Sequence, residues 1–159
     1  MTAKPVHVRT ATLGDYDVLV ALFDELDEFH RQRRPDFFQS FDGPARTRQQ
    51  IEQWLSQPAS TVLVAERGAD VIGLAVLLTR TPSPFAGAVP RKVIELDNIV
   101  VRADRRGWRV GRRLLAATLE WSRQRRAVQV EAVMGEGDAR RFYESFGFTA
   151  ADDRLVLAA

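Results

Sequence analysis

The chain has 159 residues, 45% of them hydrophobic and 28% charged, which is the composition of one ordinary globular domain. It contains no cysteine, which excludes a thiolate nucleophile, thiolate metal sites and iron–sulfur clusters. The formal net charge is +2, and no apolar run approaches the ~20 residues that span a bilayer, so we expect a cytoplasmic protein that does not enter a membrane.

The first part of the chain predicts a strand followed by two helices. Val6–Arg9 alternates apolar and polar residues as a strand does. Thr12 and Asp15 have the spacing of a capping box, and they begin a helix that ends before Pro35. A second helix is expected to open near Gly43-Pro44.

The middle of the chain predicts three strands, a loop and a long helix. Two apolar, β-rich runs separated by a short turn form a hairpin, and a segment rich in proline and glycine follows them as an irregular loop. In chain order the elements are strand 61–66, strand 71–79, loop 81–87, strand 93–101 and helix 108–125.

The last part of the chain predicts a strand, a helix and a closing strand region. Residues 127–133 are mostly apolar and are interpreted as a central strand. Asp138 is placed to cap a helix, and Gly147 is placed to end it in a left-handed conformation. Residues 148–158 close the chain as one or two strands. The complete order, βαα-βββ-αβ-αβ, predicts a single α/β (α+β) domain over residues 1–159, built on one mixed sheet.

The sharpest functional signal is a glycine-bearing turn between the strand at 93–101 and the helix that follows it. The first turn of a helix has unpaired N–H groups and a partial positive charge, which suits a phosphate. Gly107 and Gly111 would let the backbone approach that phosphate closely. Four arginines add positive charge at the same end, namely Arg105, Arg106, Arg109 and Arg112. From the glycines alone, the favoured interpretation is a helix that merely starts with glycine and carries solvated arginines, because two glycines four positions apart are common.

A second motif downstream favours the phosphate interpretation. Arg106-Gly107-Trp108-Arg109-Val110-Gly111 resembles the Arg/Gln-x-x-Gly-x-Gly/Ala pyrophosphate turn of the GNAT acetyltransferase superfamily. The segment 139–148 resembles that family's Asn-x-x-Ala-x-x-Phe-Tyr-x-x-x-Gly-Phe element. The predicted elements also follow the family's order along nearly the whole chain. The resemblance implies a mixed, mostly antiparallel sheet with a splayed parallel strand pair, flanked by helices.

The same resemblance implies acetyl-CoA as cosubstrate and direct transfer of its acetyl group to a primary amine in a ternary complex. The backbone of Ile99, Val100 and Val101 would hold the pantetheine arm like an added strand, and an N–H near Ile99 would polarise the thioester carbonyl. The residues implied for the pyrophosphate are Arg106, Gly107, Trp108, Arg109, Val110, Gly111 and Arg112.

Two residues depart from the family's pattern. Arg109 stands where the family usually has the first glycine of Gly-x-Gly. Glu136 stands where an asparagine usually contacts the cofactor, and a carboxylate there repels CoA oxygens unless Arg140 or another cation pairs with it. These departures support an alternative, a catalytically degenerate CoA-binding sensor or partner-binding module of the same fold.

Three residues are candidates for acid–base catalysis. The resemblance implies Tyr143 as the acid that protonates the departing thiolate, while the alternative is that Tyr143 belongs to an aromatic core face. Glu95 and Glu131 lie on neighbouring predicted strands and compete as the base that deprotonates the amine, and we prefer Glu95. For either glutamate the alternative is a rim position with an arginine partner.

The acceptor side carries weaker signals. His30 is either a ligand-facing base or a surface histidine, and we expect the second. Phe37, Phe38 and Phe41 either line an acceptor pocket or pack the helices against the sheet, and again we expect the second. The acidic residues of the first helix are interpreted mainly as a solvated face.

The sequence also bears on metal ions, nucleic acid and a second copy of the chain as partners. Two histidines are too few and too badly spaced for a metal site. Nucleic acid is not expected as a partner, because the net charge is small and aromatic residues do not alternate with the arginines. The sequence is compatible with a homodimer or a monomer, because residues 155–157 either pair across a two-fold axis or lie inside the sheet.

Overall fold

Five strands and four α-helices make up the described part of the chain, which comprises residues 4–82, 85–133, 138–151 and 157 of a computed structural model. The strands are β1 (Val6–Thr10), β2 (Ser60–Arg67), β3 (Asp70–Arg80), β4 (Val93–Val101) and β5 (Gln129–Ala132). The helices are α1 (Tyr16–Arg33), α2 (Arg48–Ser56), α3 (Trp108–Gln124) and α4 (Asp138–Phe146). The predicted order of elements is confirmed from β1 to α4.

The five strands form one sheet with the order β1-β2-β3-β4-β5. The first four strands pair antiparallel with their neighbours in sequence, whereas β5 pairs parallel with β4. A parallel neighbour needs a crossover, and α3 supplies it. The predicted fold class, a mixed and mostly antiparallel sheet with one parallel pair and flanking helices, is therefore confirmed.

Local hydrogen bonds explain where the N-terminal helices begin. The N–H of Thr12 donates to Asp15 Oδ2 at 2.8 Å, as the predicted capping box requires, and a short 3₁₀ turn leads from there into α1. For α2, the hydroxyl of Thr47 accepts the N–H of Gln50 at 3.1 Å. The helix thus starts at Arg48, later than the predicted opening near Gly43-Pro44, because Thr47 is the residue that caps it.

Each face of the sheet carries its own apolar core. On one face α1 and α2 pack against the sheet, with Leu19, Phe23 and Ile51 fully buried. On the opposite face α3 buries Val110 and Leu114, and the aromatic residues of α4 pack against that cluster. Because successive strand residues point to opposite faces, both cores draw on the same strands.

The pairing of β4 changes along its length. Residues Val93 to Leu96 of β4 pair with β5. Leu96 lies opposite Ala132, and the parallel pairing ends there. On the other side, a register shift in the pairing with β3 leaves Asp97 without a counterpart, which is a β-bulge. In the described part of the chain, Asp97 and the residues after it up to Val101 therefore have a strand neighbour on one side only.

The C-terminal part agrees with the sequence in some respects and differs in one. Gly147 has φ +117, and the N–H of Phe148 donates to the carbonyl of Tyr143 at 3.1 Å, so the predicted left-handed end of α4 is confirmed. The strand expected to be central, β5, is the last in the strand order that the described residues form. Most of the predicted closing strand region, from residue 152 onward, lies outside the described residues. Among the helices of the described ranges, none has both the length and the apolar character needed to cross a bilayer.

Candidate functional site

The gap beside the second half of β4 exposes backbone groups in a fixed pattern. The N–H of Arg102 donates to the carbonyl of Ile72 on β3 at 2.7 Å. Since backbone groups of successive strand residues point in opposite directions, those of Val100 also face β3. The N–H and C=O groups of Ile99 and Val101 face the side on which β5 has ended. Of the three residues predicted to contact pantetheine, Ile99 and Val101 have the required orientation and Val100 does not.

The turn after β4 leads to a helix start without a side-chain cap. Gly107 occupies the N-cap position of α3 with φ +150, a conformation that favours glycine, and a Cβ placed on it would meet nothing within 4 Å. Among the described side chains, none caps the first turn of α3. The guanidinium of Arg106 donates to the carbonyl of Val101 at 3.3 Å, which ties the turn to the end of β4. At the end of the gap, the N–H groups that begin α3 therefore have no capping side chain among the described residues.

Two further contacts hold this turn in place. The carboxylate of Glu25 on α1 accepts the N–H of Ala103 at 3.1 Å. Arg102 donates to both oxygens of Asp70, each at 3.0 Å, and to Asp104 at 2.6 Å. The contacts with Glu25 and Asp70 could not be predicted from the sequence, because each joins residues that are distant along the chain.

Gly111 has a packing role in addition to the one predicted from its motif. It is buried, and a Cβ placed on it would lie 2.7 Å from the ring of Phe142 on α4. Any side chain at this position would push α3 and α4 apart. The glycine is therefore required for the packing of the two helices, and its predicted close approach to phosphate stays a prediction. Val110 beside it is a core residue rather than a surface one.

The remaining residues predicted to bind the cofactor lie mostly at the surface. Arg109 and Arg112 are exposed near the start of α3, and the latter donates to the hydroxyl of Ser145 at 3.5 Å. Arg140 is exposed and forms an ion pair with Glu144 at 2.6 Å, one helical turn away. Its suggested partner Glu136 and the side chain of Trp108 lie outside the described residues.

The candidate acid Tyr143 lies on the face of the sheet that α3 covers. Its ring packs against Phe142 and Phe148, with centroids 5.5 and 5.3 Å away, so it does belong to an aromatic cluster. Burial raises the pKa of Tyr143 to about 12, because removing water disfavours the phenolate. The phenol is therefore protonated throughout the neutral range, as an acid must be.

The two candidate bases are direct neighbours across the parallel pair. Glu95 and Glu131 lie opposite each other in the register of β4 and β5. Ile94 and Leu96 belong to the core beneath α3, so the side chain of Glu95 between them points to the face covered by α1 and α2. The candidate acid and bases thus lie on opposite faces of the sheet, and the gap begins immediately beyond the two glutamates.

The surroundings of the two glutamates differ. Glu95 forms an ion pair with the guanidinium of Arg80, and 15% of its side chain is exposed against 59% for Arg80. Glu131 is exposed and accepts the side-chain N–H of Gln129 at 2.6 Å. The arginine partner that the sequence left as an alternative is therefore present for Glu95, on its solvent side.

A pocket of about 330 Å³ lies beside α1, where an acceptor pocket was the less favoured of the two alternatives for the phenylalanines. Its described lining includes Asp27, Arg31 and Arg46, together with three phenylalanines, Phe37, Phe38 and Phe41. The expectation that these phenylalanines pack the helices onto the sheet is wrong, because Phe37 is 73% and Phe41 is 50% exposed. In the sequence, the feature that indicates an apolar pocket wall is the presence of three phenylalanines within five positions.

His30 lies next to this pocket and stacks on the ring of Phe38, with centroids 4.9 Å apart. Burial lowers the pKa of His30, with a smaller opposing effect from Asp27. The imidazole is therefore neutral at pH 7 and adds no charge to the pocket. Among the described residues, no group of three or more side chains is arranged to hold a metal ion.

Comparison with known proteins agrees with this geometry. Residues 22–148 match the Acetyltransferase (GNAT) family. No curated protein matches the sequence significantly. The crystal structure of a tetramutant of the BH1408 protein from Bacillus halodurans superposes with a TM-score of 0.86 at 23% identity, over 96% of this chain and 99% of that one.

Two solved structures with CoA-type ligands also share the fold. A predicted acetyltransferase with acetyl-CoA from Clostridium acetobutylicum superposes with a TM-score of 0.75 at 16% identity, over 97% of this chain and 96% of that one. The aminoglycoside N-acetyltransferase AAC(6')-Iy in complex with CoA superposes with a TM-score of 0.69 at 15% identity, over 96% and 98%. At these identities the structures establish a common fold and no more.

Proposed function

Because the chain belongs to the GNAT family of acetyltransferases, we propose that it transfers the acetyl group of acetyl-CoA to a primary amine by direct attack in a ternary complex. The observation that carries this proposal is the gap beside β4. The parallel pairing ends at Leu96, the backbone groups of Ile99 and Val101 face the gap, and the uncapped start of α3 lies at its end. An extended ligand with a diphosphate fits this combination of exposed strand and open helix terminus.

The proposed cofactor contacts follow the direction of the gap. The pantetheine arm lies along Ile99 and Val101, and the amides from Gly107 onward hold the pyrophosphate. The exposed guanidinium groups of Arg109 and Arg112 add positive charge near that end. The N–H of Ile99 then donates to the thioester oxygen, where negative charge develops during the reaction.

The proposed chemistry uses both faces of the sheet. Glu95 takes a proton from the acceptor ammonium, directly or through water, and the amine nitrogen attacks the thioester carbonyl carbon. The carbon–sulfur bond then breaks, and Tyr143 donates its proton to the departing thiolate. Because Glu95 and Tyr143 lie on opposite faces, the acceptor enters from the α1–α2 face and the thiolate leaves on the α3 face.

The test follows thiol release from acetyl-CoA with a panel of amines, aminoglycosides and peptides. For Tyr143→Phe we expect kcat to fall about 100-fold, with the Kd for CoA unchanged in calorimetry. This variant keeps the ring and removes only the hydroxyl, so its unfolding transition serves as the control for folding. An unchanged kcat would remove Tyr143 from the mechanism.

The same assay assigns the base. Glu95→Gln is expected to lower the rate at neutral pH and to recover at high pH, where the amine loses its proton without help. Glu131→Gln is the matched control, because it neutralises the neighbouring carboxylate in the same register. Equal rates for Glu95→Gln and the unaltered protein at both pH values would exclude Glu95 as the base.

A CoA-binding module without catalysis is the alternative, and the pairing of Glu95 with Arg80 favours it, since the carboxylate already has a partner. Calorimetry separates the two functions. Binding of CoA together with no thiol release from any amine in the panel would support the module and contradict the transferase.

A further inference from the structure

The pocket beside α1 opens next to the gap. Arg46 in its lining donates to the side-chain oxygen of Asn98 at 3.4 Å. Asn98 lies on β4 directly after the bulge and two positions beyond Leu96, the last residue paired with β5. An acceptor held in this pocket would therefore lie against the part of β4 that faces the gap.

The polar part of the pocket is an acid–base pair. Arg46 donates to Asp27 at 3.3 Å, and both side chains are mostly buried, with 26% and 16% exposed. The guanidinium lies 4.7 Å from the centre of the Phe23 ring, which limits its movement. One of its nitrogens also donates to the carbonyl of Ala45 at 2.6 Å. Its bond to Asp27 is longer than the 2.7–2.9 Å that is usual between charged partners, and its bond to the neutral Asn98 exceeds the 2.7–3.2 Å that is usual for N–H···O. Both of these bonds leave room for a closer partner.

Such a pair complements a zwitterion. A ligand with adjacent ammonium and carboxylate groups places each beside the opposite charge and brings no net charge into a half-buried site. A ligand with only one of these groups would leave one protein charge without a new partner. Arg31, the other cation of the lining, is already paired with Glu28 at 2.8 Å.

The apolar wall indicates the rest of the ligand. Phe37, Phe38 and Phe41 surround the same cavity and are 73%, 36% and 50% exposed. Large exposed apolar groups that converge on one cavity are typical of a ligand site, and aromatic rings pair well with other rings. The cavity of about 330 Å³ has the size for a small molecule.

We propose that the acceptor is an amino acid with an aromatic or large apolar side chain, an inference that rests on the proposed function. Its carboxylate binds Arg46, its ammonium enters beside Asp27, and its side chain lies against the phenylalanines. In the reaction the amine loses a proton to the base, the new nitrogen–carbon bond forms, and the carbon–sulfur bond breaks. The thiolate takes a proton, and the products are an N-acetyl amino acid and CoA.

The test compares amines that differ by one group. The probe is L-phenylalanine, and the comparison compounds are 2-phenylethylamine, L-phenylalaninamide and L-alanine, with spermidine and an aminoglycoside as other classes. We expect kcat/KM for phenylalanine to exceed that of each other compound by about 10-fold or more. The amine of phenylalaninamide is less basic than that of phenylalanine and is therefore less protonated at the same pH. A slower reaction of the amide could thus not be due to protonation of its amine.

Matched variants locate the effect in the pocket. Arg46→Gln is expected to abolish the preference for phenylalanine over its amide, whereas Arg48→Gln is expected to keep it. Arg48 is a good control because its guanidinium also lies 4.7 Å from a ring centre, that of Tyr16, outside the pocket lining. Phe37→Ala, at an exposed position that the fold does not need, is expected to reduce the preference for phenylalanine over alanine.

The outcomes separate the inference from the proposed function. If spermidine, the aminoglycoside or 2-phenylethylamine reacts faster than phenylalanine, the transferase stands and the amino acid acceptor is wrong. If no amine reacts, calorimetry with phenylalanine in the presence of CoA decides. If phenylalanine binds to the unaltered protein and to Arg48→Gln but not to Arg46→Gln, the amino acid site is supported even though the transferase is not. If phenylalanine does not bind to the unaltered protein, the inference is overturned.

Discussion

The two halves of β4 belong to one continuous strand but have different neighbours. In the first half, Val93 to Leu96, the strand is paired on both sides, and three of its four side chains are buried. In the second half, Asp97 to Val101, pairing with β3 continues after a bulge and pairing with β5 has ended. One strand thus provides structure at its start and a surface for a ligand at its end, and the length of its neighbour decides where the change occurs.

The largest expected effect comes from replacing single residues of the second half of β4 with proline, which removes one backbone N–H group each time. Val100→Pro deletes a group that faces β3, and we expect a loss of about 3 kcal/mol or more in the free energy of unfolding. Ile99→Pro deletes a group that faces the gap, and we expect a clearly smaller loss together with weaker binding of CoA. Denaturant unfolding and calorimetry measure the two effects, and equal destabilisation by both prolines would contradict the assigned orientation.

A second prediction concerns the turn at the end of the gap. Gly107→Ala is expected to weaken CoA binding about 10-fold, because alanine disfavours the backbone conformation that opens the amides of α3. Gly68→Ala is the control. Gly68 also has a positive φ, of +63, but lies in the turn between β2 and β3.

Both glycine variants are expected to lose about 1–3 kcal/mol of stability, because alanine is strained at a positive φ. Only the first is expected to change the Kd for CoA in calorimetry. Equal effects on binding would mean that the turn at Gly107 has no direct part in it.

Much of the fold could be predicted because local rules determine it. Apolar spacing located the strands, and the box at Thr12 and Asp15 together with Gly147 marked helix ends, since each of these signals acts within a few residues. The start of α2 was placed too early because two residues that favour turns precede its real cap, Thr47.

The site was less predictable because it depends on contacts between distant segments. The bulge at Asp97 sets which backbone groups face the gap, and it arises from the register with β3. The ion pair of Glu95 with Arg80 joins two strands. The exposure of Phe37 results from the path of the loop between α1 and α2. Spacing along the sequence carries no direct information on any of these.

A third prediction concerns the contact that holds the turn after the second half of β4. Glu25→Ala removes the acceptor for the N–H of Ala103, where the turn begins, and we expect the KM for acetyl-CoA to rise about 3-fold to 5-fold with little change in kcat. Asp24→Ala, at the exposed neighbouring position, is the control for a lost charge on α1. A similar rise for both variants would point to general electrostatics instead.

The smallest expected effect concerns pH and the pocket that borders this half of the strand. The pKa of His30 is lowered by burial, so the folded protein binds a proton there less readily than the unfolded chain. The stability associated with neutral His30 is present above the ordinary histidine pKa and is lost as pH falls through the lowered value. We expect His30→Gln to reduce the loss of unfolding free energy between pH 7 and pH 5, measured by denaturant titration at both values. An identical loss in both proteins would contradict this assignment.

The contact between Gly111 and Phe142 links the amino-acid choices at two positions that lie about thirty residues apart on different helices. A methyl group at the first position requires a smaller ring or an aliphatic residue at the second, so relatives of this chain should change the two sites together. An engineer who transplants α4 from another member of the fold must therefore choose the donor by its residue opposite Gly111. The same rule offers a repair, since a smaller residue in place of Phe142 should restore a chain that carries alanine at position 111.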